Sequence, residues 1–135
     1  VFDSFDLPNL RIFQEQVAAF KEMLAFATPD EAQRQDVDFL LALGEIFTLV
    51  VYAQLILENA REYSVGDDLL DQVFDFMVRD FSRHALNIYS KPISKAKQIE
   101  YCLRMIRKPA VDQDRFDRIW NEQVHVLKDA YEMNP

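Results

Sequence analysis

FLLALGEIFTLVVYAQLIL, residues Phe39 to Leu57, is apolar on every side of a helical wheel apart from Glu45, Thr48 and Gln54. A helix without a polar face has to be covered all round, by lipid or by protein. About 20 apolar residues suffice to span a bilayer. Here, however, a carboxylate and an amide sit inside the run, and the acids Asp36 and Asp38 lead into it rather than bases, which is not the pattern of a spanning helix. The stretch therefore reads as the central helix of a soluble bundle with no membrane span, the other helices laid against it.

On its N-terminal side, Thr28-Pro29-Asp30-Glu31 has the form of a capping box, with Thr28 as N-cap, Pro29 at the first helical position and Glu31 reaching back. It predicts one long helix to about Arg61, polar in its first turns. Gly44 inside that helix costs about 1 kcal/mol relative to alanine, and a close helix crossing at that point would offset the cost. Before it, a first helix capped by Asp6 and running to about Phe26 carries Leu10, Phe13, Val17, Phe20 and Leu24 at spacings of three and four.

Beyond it, Ser64-Val65-Gly66-Asp67 breaks the pattern. A third helix follows to Tyr89, with Leu70, Phe74, Met77, Phe81, Ala85 and Ile88 on one face. Pro92 and Pro109 bracket a short fourth helix with Ile99, Cys102, Leu103 and Ile106 inward. Asp112 caps a fifth, whose apolar face is Phe116, Ile119, Trp120, Val124, Leu127 and Tyr131. Five helices with short connections predict an all-α, antiparallel helical bundle built around the long apolar helix, as one domain over residues 1–135.

Composition agrees. The 135 residues are half hydrophobic, with eleven phenylalanines but two glycines and five prolines, too few for a turn-rich β fold. The single cysteine, Cys102, leaves no internal disulfide and no cysteine-rich zinc site, and it reads as a reduced core thiol in a cytoplasmic protein. The first residue is Val rather than Met, so a fragment of a larger chain is expected.

A net charge of −8 argues against nucleic acid, whose phosphates attract basic surfaces. The charge is uneven, however: Lys91, Lys95, Lys97, Arg104, Arg107 and Lys108 stand together against one acid, Glu100. This segment reads either as a contact for an anion or an acidic partner, or as a solvated helix whose last turn offsets the helix dipole.

Glu45 stands out as a carboxylate in the most apolar helix. If buried and unpaired it is a candidate for proton transfer. The alternative is a pair with Arg79, Arg83 or His84 from the next helix. Glu122 and His125 have the Glu-x-x-His spacing of a di-iron helix, but a site of that kind needs the motif twice, and Phe81 stands three residues before the other histidine, His84. Asp80, Ser82 and His84 point to different faces of one helix and form no triad. No glycine-rich phosphate loop occurs. On these residues alone the chain has no catalytic, cofactor or metal site. The phenylalanines read as core packing, with an acyl-binding cavity between helices as the rival reading.

The strings LLALGEIFTLVVYAQLILENA, LLDQVFDFMVRDFSRHALNIYSKP, IRKPAVDQDRFDRIW and the closing YEMNP resemble the C-terminal helical region of bacterial acyl-CoA dehydrogenases, over about Phe39 to Pro135. The resemblance implies a parent flavoprotein that removes hydrogens from an acyl-CoA thioester onto FAD, acts in fatty acid metabolism and assembles as an oligomer. The chain departs from that family in having no Tyr-Glu-Gly motif for the catalytic glutamate, no flavin-contacting glycine stretch and no β domain, so no catalytic or FAD-binding residue is carried over. What remains is an expected structural, oligomerising or substrate-entrance domain, in contact with the rest of the parent or another subunit. Acyl-CoA in the intact enzyme would then meet the basic segment through its phosphates. The other expectation is a stand-alone helical interaction or dimerisation module.

Overall fold

Leu7 and Pro8 open the first helix, α1 (Pro8–Phe26), with the proline at its start where its missing N–H is no loss. Asp6 does not cap it and instead pairs with Arg11. The computed structural model describes residues 2–130, and among these every regular element is helical. After α1 come α2 (Glu31–Gln35), α3 (Val37–Glu62), α4 (Asp67–Ser90), α5 (Ala96–Met105) and α6 (Gln113–Ile119), the last continued by a π-turn at Trp120–Val124 and a 3-10 turn at His125–Leu127. The all-α bundle is the observed architecture.

The predicted second helix is two helices. Asp30, not Thr28, is the cap of α2: its side chain accepts from the Gln33 amide at 2.9 Å, and Gln33 Oε1 accepts from the Asp30 amide at 3.1 Å. The Thr28 hydroxyl donates to the Leu24 carbonyl instead. Asp36 is extended and caps a fresh start through the Phe39 amide at 2.8 Å. Two acidic caps six residues apart thus divide what periodicity alone runs together. α3 ends with Ser64 in the left-handed region (φ 51°) and the Val65 amide bonded to the Ala60 carbonyl at 2.9 Å, the backbone arrangement of a Schellman stop.

The hub of the bundle is α4, which packs on α1, α3, α5 and α6. Its predicted stripe, Leu70, Phe74, Met77, Phe81, Ala85 and Ile88, is buried throughout. Leu10, Phe13, Val17 and Phe20 of α1 meet it, with Met23 completing the row in place of the exposed Leu24. Phe13 contacts Phe74 and Phe81 edge-on, both at 5.4 Å between centroids. Of the eleven phenylalanines, Phe13, Phe20, Phe39, Phe74 and Phe81 are core as their periodicity implies, while Phe26, Phe47, Phe76 and Phe116 are exposed.

The long apolar helix is displaced from the centre expected for it. α3 packs chiefly on α4, and only 22% of its apolar window lies inside the fold. Two other faces differ from the sequence reading. In α5, Cys102 and Met105 are buried while Leu103 and Ile106 are exposed. In α6 and the turns after it, Phe116, Trp120, Val124 and Leu127 are exposed and Ile119 alone of that row is buried; Tyr131 lies outside the described residues.

Replacing Phe81 by alanine is expected to lower the unfolding free energy by about 3–5 kcal/mol, and Leu103→Ala by less than about 0.5 kcal/mol. Urea denaturation measures both, and comparable losses would contradict this placement of the core.

Candidate functional site

The wheel of α3 is inverted. Its buried stripe is Phe39, Ala42, Ile46, Ala53, Leu57 and Ala60, half of it alanine, while Leu41 (63% exposed), Phe47 (63%), Val51 (44%), Tyr52 (59%) and Leu55 (48%) face out. Alanine at half of the inward positions lets α3 lie close on α4, while these five large apolar side chains are left to solvent. Leu41, Gly44, Thr48, Val51 and Leu55 alternate at three and four residues along the middle of this face, the period that keeps one seam turned toward a partner helix. Isolated exposed apolar residues need no explanation, but a contiguous row this long marks a contact surface.

Gly44 belongs to that face. A methyl group added there would meet no atom of the chain within 4 Å, so the helix crossing expected at Gly44 is not supplied by the described residues. The space beside it is a shallow groove of about 500 Å³ lined by Leu41, Gly44, Glu45, Thr48, Tyr52 and His84 among others, and a second groove of about 330 Å³ begins on the other side of Tyr52.

Glu45 is not the buried carboxylate considered from the sequence. The side chain is half exposed at the rim of the first groove, with Oε2 3.0 Å from His84 Nδ1. The other two candidate partners are engaged on their own helix, Arg79 with Asp75 at 2.7 Å and Arg83 with Asp80 at 3.0 Å. Ser82 stands apart from His84: its Oγ lies 2.9 Å from the Val78 carbonyl and 2.7 Å from that of Arg107, and it accepts from the Arg107 amide. Ser82 is therefore a tie between α4 and the end of α5.

The basic segment does not converge on one cradle. Lys91 pairs with Asp38, Lys95 with Asp30 at 3.0 Å, Arg104 with Glu22 at 2.6 Å and Arg107 with Glu15, while Lys97 and Lys108 are exposed and make no ion pair among the described residues. Four of the six cations thus strap α5 and its approach to α1, α2 and α3. The Arg104 guanidinium holds the Glu22 carboxyl below its ordinary range. Asp30 is lowered by the Gln33 backbone N–H and then by Lys95. Asp68 is lowered by Arg118, which grips it through Nε at 2.7 Å and Nη2 at 2.8 Å.

The pyrophosphate of a dinucleotide such as FAD is held by a helix N-terminus or a nest of free amides, commonly at glycines, and neither glycine here offers one. The helix following Gly66 begins with Asp67 and Asp68, acids that repel phosphate, and the other glycine, Gly44, is mid-helix. Glu122 and His125 lie on the exposed C-terminal turns, and no three His, Cys, Asp or Glu side chains converge among the described residues.

What sequence reasoning missed is the buried polar set. Gln33 and Gln98 exchange amide hydrogen bonds at 2.8 and 3.0 Å, and Gln98 also accepts from the Lys95 amide. Asn9 bonds Asp71 through its backbone amide at 2.8 Å, and Arg115 pairs with the same carboxylate. Glutamine at the third helical position is the one signal that was available. No protein-family model, curated protein or solved structure matches the chain.

Burial pushes the Cys102 thiol up to about 11. Since the thiolate is the nucleophile, iodoacetamide at pH 8 is expected to label Cys102 slowly in the folded chain and at the rate of a free thiol in concentrated guanidinium chloride; equal rates would contradict its burial.

The acid side follows from the lowered carboxyls. Stability contributed by Glu22, Asp30 and Asp68 is present above their unfolded values, about 3.9–4.3, and is lost as pH falls through the lower folded ones. Urea midpoints are expected to drop below about pH 4, and Asp68→Asn to differ from the parent above that pH but not well below it.

Proposed function

We propose that the chain is a non-catalytic assembly domain that docks through the outward face of α3 and serves as the helical C-terminal part of a cytoplasmic acyl-CoA dehydrogenase-like flavoenzyme. The inverted wheel of α3 carries the docking role: large apolar side chains face away from the core along a helix about 39 Å long. The enzyme context rests on the resemblance of the helical strings. FAD and the acyl-CoA chemistry belong to the rest of such a parent, and this domain holds subunits or domains in place.

The second reading is a stand-alone dimerisation module. The repeat of Leu41, Thr48 and Leu55 about the middle of α3 favours it, since it needs no other domain.

Expression of the open frame that carries this domain separates the two. The intact product is expected to hold FAD and oxidise acyl-CoA, while residues 1–135 alone show no turnover. Leu41→Glu with Leu55→Glu is expected to lower the assembly's mass without unfolding the domain. A flavin-free product would remove the enzyme context and leave the module; a charged α3 face with unaltered assembly would remove the docking role.

A further inference from the structure

The outward face of α3 has a centre. Thr48 lies at mid-helix directly opposite the buried stripe, and the residues on either side of it are arranged in matching steps: Gly44 and Tyr52 are four residues away, Leu41 and Leu55 seven. Two such helices laid antiparallel with Thr48 on the two-fold axis bring Tyr52 of each copy level with Gly44 of the other, and Leu41 level with Leu55. The largest side chain of the seam then meets its one missing side chain, beside a groove of about 500 Å³ that no atom of the chain fills at Gly44. A C2 interface requires this self-complementarity of a single patch.

We infer that the occupant of the α3 face is the α3 face of a second copy of this chain, paired antiparallel across Thr48. This rests on reading that face as the docking surface. Area supports it. Six apolar side chains (Leu40, Leu41, Phe47, Val51, Tyr52 and Leu55), each about half exposed, offer roughly 600 Å² per copy, near the ~800 Å² per partner of a standard interface.

Charge favours a second copy over a lipid surface. α3 carries Asp38, Glu45, Glu58 and Glu62 against Arg61 alone, whereas helices that lie on membranes are rich in Lys and Arg. In the antiparallel arrangement Glu45 comes level with Val51 of the partner, so no acid faces an acid near the axis, and Asp38, which comes level with Glu58 of the partner, is already paired with Lys91 of its own chain; the two helix dipoles oppose each other favourably.

Sedimentation equilibrium and cysteine cross-linking of the full 135-residue chain test the inference. A dimer with a dissociation constant on the order of micromolar is expected. Thr48→Glu, which sets two like charges on the axis, is expected to raise that constant at least about 100-fold with the helical circular dichroism and urea midpoint of the monomer retained. Thr48→Cys is expected to form a disulfide dimer under mild oxidation, since the two side chains meet at the axis. Leu41→Cys alone is expected not to, because its copies lie about 21 Å apart along the pair; mixed with Leu55→Cys it cross-links. The buried Cys102 thiol does not compete.

Self-cross-linking of Leu41→Cys would overturn the antiparallel register. A monomer that binds neutral or anionic vesicles through α3 would put lipid in place of the second copy. A monomer whose contact with other domains of a parent is lost on Thr48→Glu would also overturn the second copy while leaving the docking role intact. Indifference of mass and of all binding to Thr48→Glu would overturn both.

Discussion

Phe13 of α1 stands edge-on to Phe74 and Phe81 of α4 at 5.4 Å, and the bundle is assembled on that contact. Edge-to-face pairs of this kind contribute about 0.5–1.5 kcal/mol each beyond the area they bury, but their larger effect is positional. They fix how far α1 sits along α4, and the remaining helices take their places from those two. α5 closes over both. α3 lies along another side of α4, and α6 touches it near the start, where Arg118 grips Asp68 and Arg115 reaches Asp71.

Buried polar groups set which ends of these helices meet. Gln16 sends its amide to the Val78 and Met105 carbonyls at 3.2 and 2.7 Å, tying α1 to both α4 and α5. The Gln33–Gln98 pair holds the starts of α2 and α5 together, each glutamine also serving the first turn of its own helix. Asn9, Asp71 and Arg115 join α1, α4 and α6 in one network. A buried polar group left without a partner costs about 1–3 kcal/mol. A shifted helix that kept its apolar contacts would still leave several such groups stranded, so the polar set selects one register among those that apolar packing alone would tolerate.

The stripes of α1 and α4 were legible in the sequence because each has one apolar face, and a periodic face points at the core without further information. α3 was legible as a helix but not in its direction. Apolar on all sides, it gives the wheel no preferred orientation, and only the packing shows that Ala42, Ala53 and Ala60 turn in. Its starting point was hidden for a different reason: Thr28 and Asp30 both suit a cap, and the choice between them is made by Gln33, whose amide also has to reach Gln98 and Ile93 across the bundle. Glu45 was a candidate buried carboxylate because its neighbours in sequence are apolar, yet only Ala42 and Ile46 of them turn in, while Gly44 and Phe47 face out beside it. The cations of residues 91–108 looked like one patch in sequence, and the fold distributes four of them to acids on three other helices.

The energetics of α3 turn on the same inversion. An alanine buries little more than a methyl group, so the inward stripe draws much of its contribution from Phe39, Ile46 and Leu57, while the outward row leaves roughly 600 Å² of apolar surface in water. Covering that surface does not convert directly into affinity, because association also costs translational, rotational and side-chain freedom. Gly44 then has a reason that the isolated fold does not provide. Within one copy it only weakens the helix, by about 1 kcal/mol relative to alanine. Against a partner helix it removes the side chain that would hold the two backbones apart, where the neighbouring Tyr52 has the most area to bury. The residue that destabilises α3 alone is the one that lets α3 be approached closely.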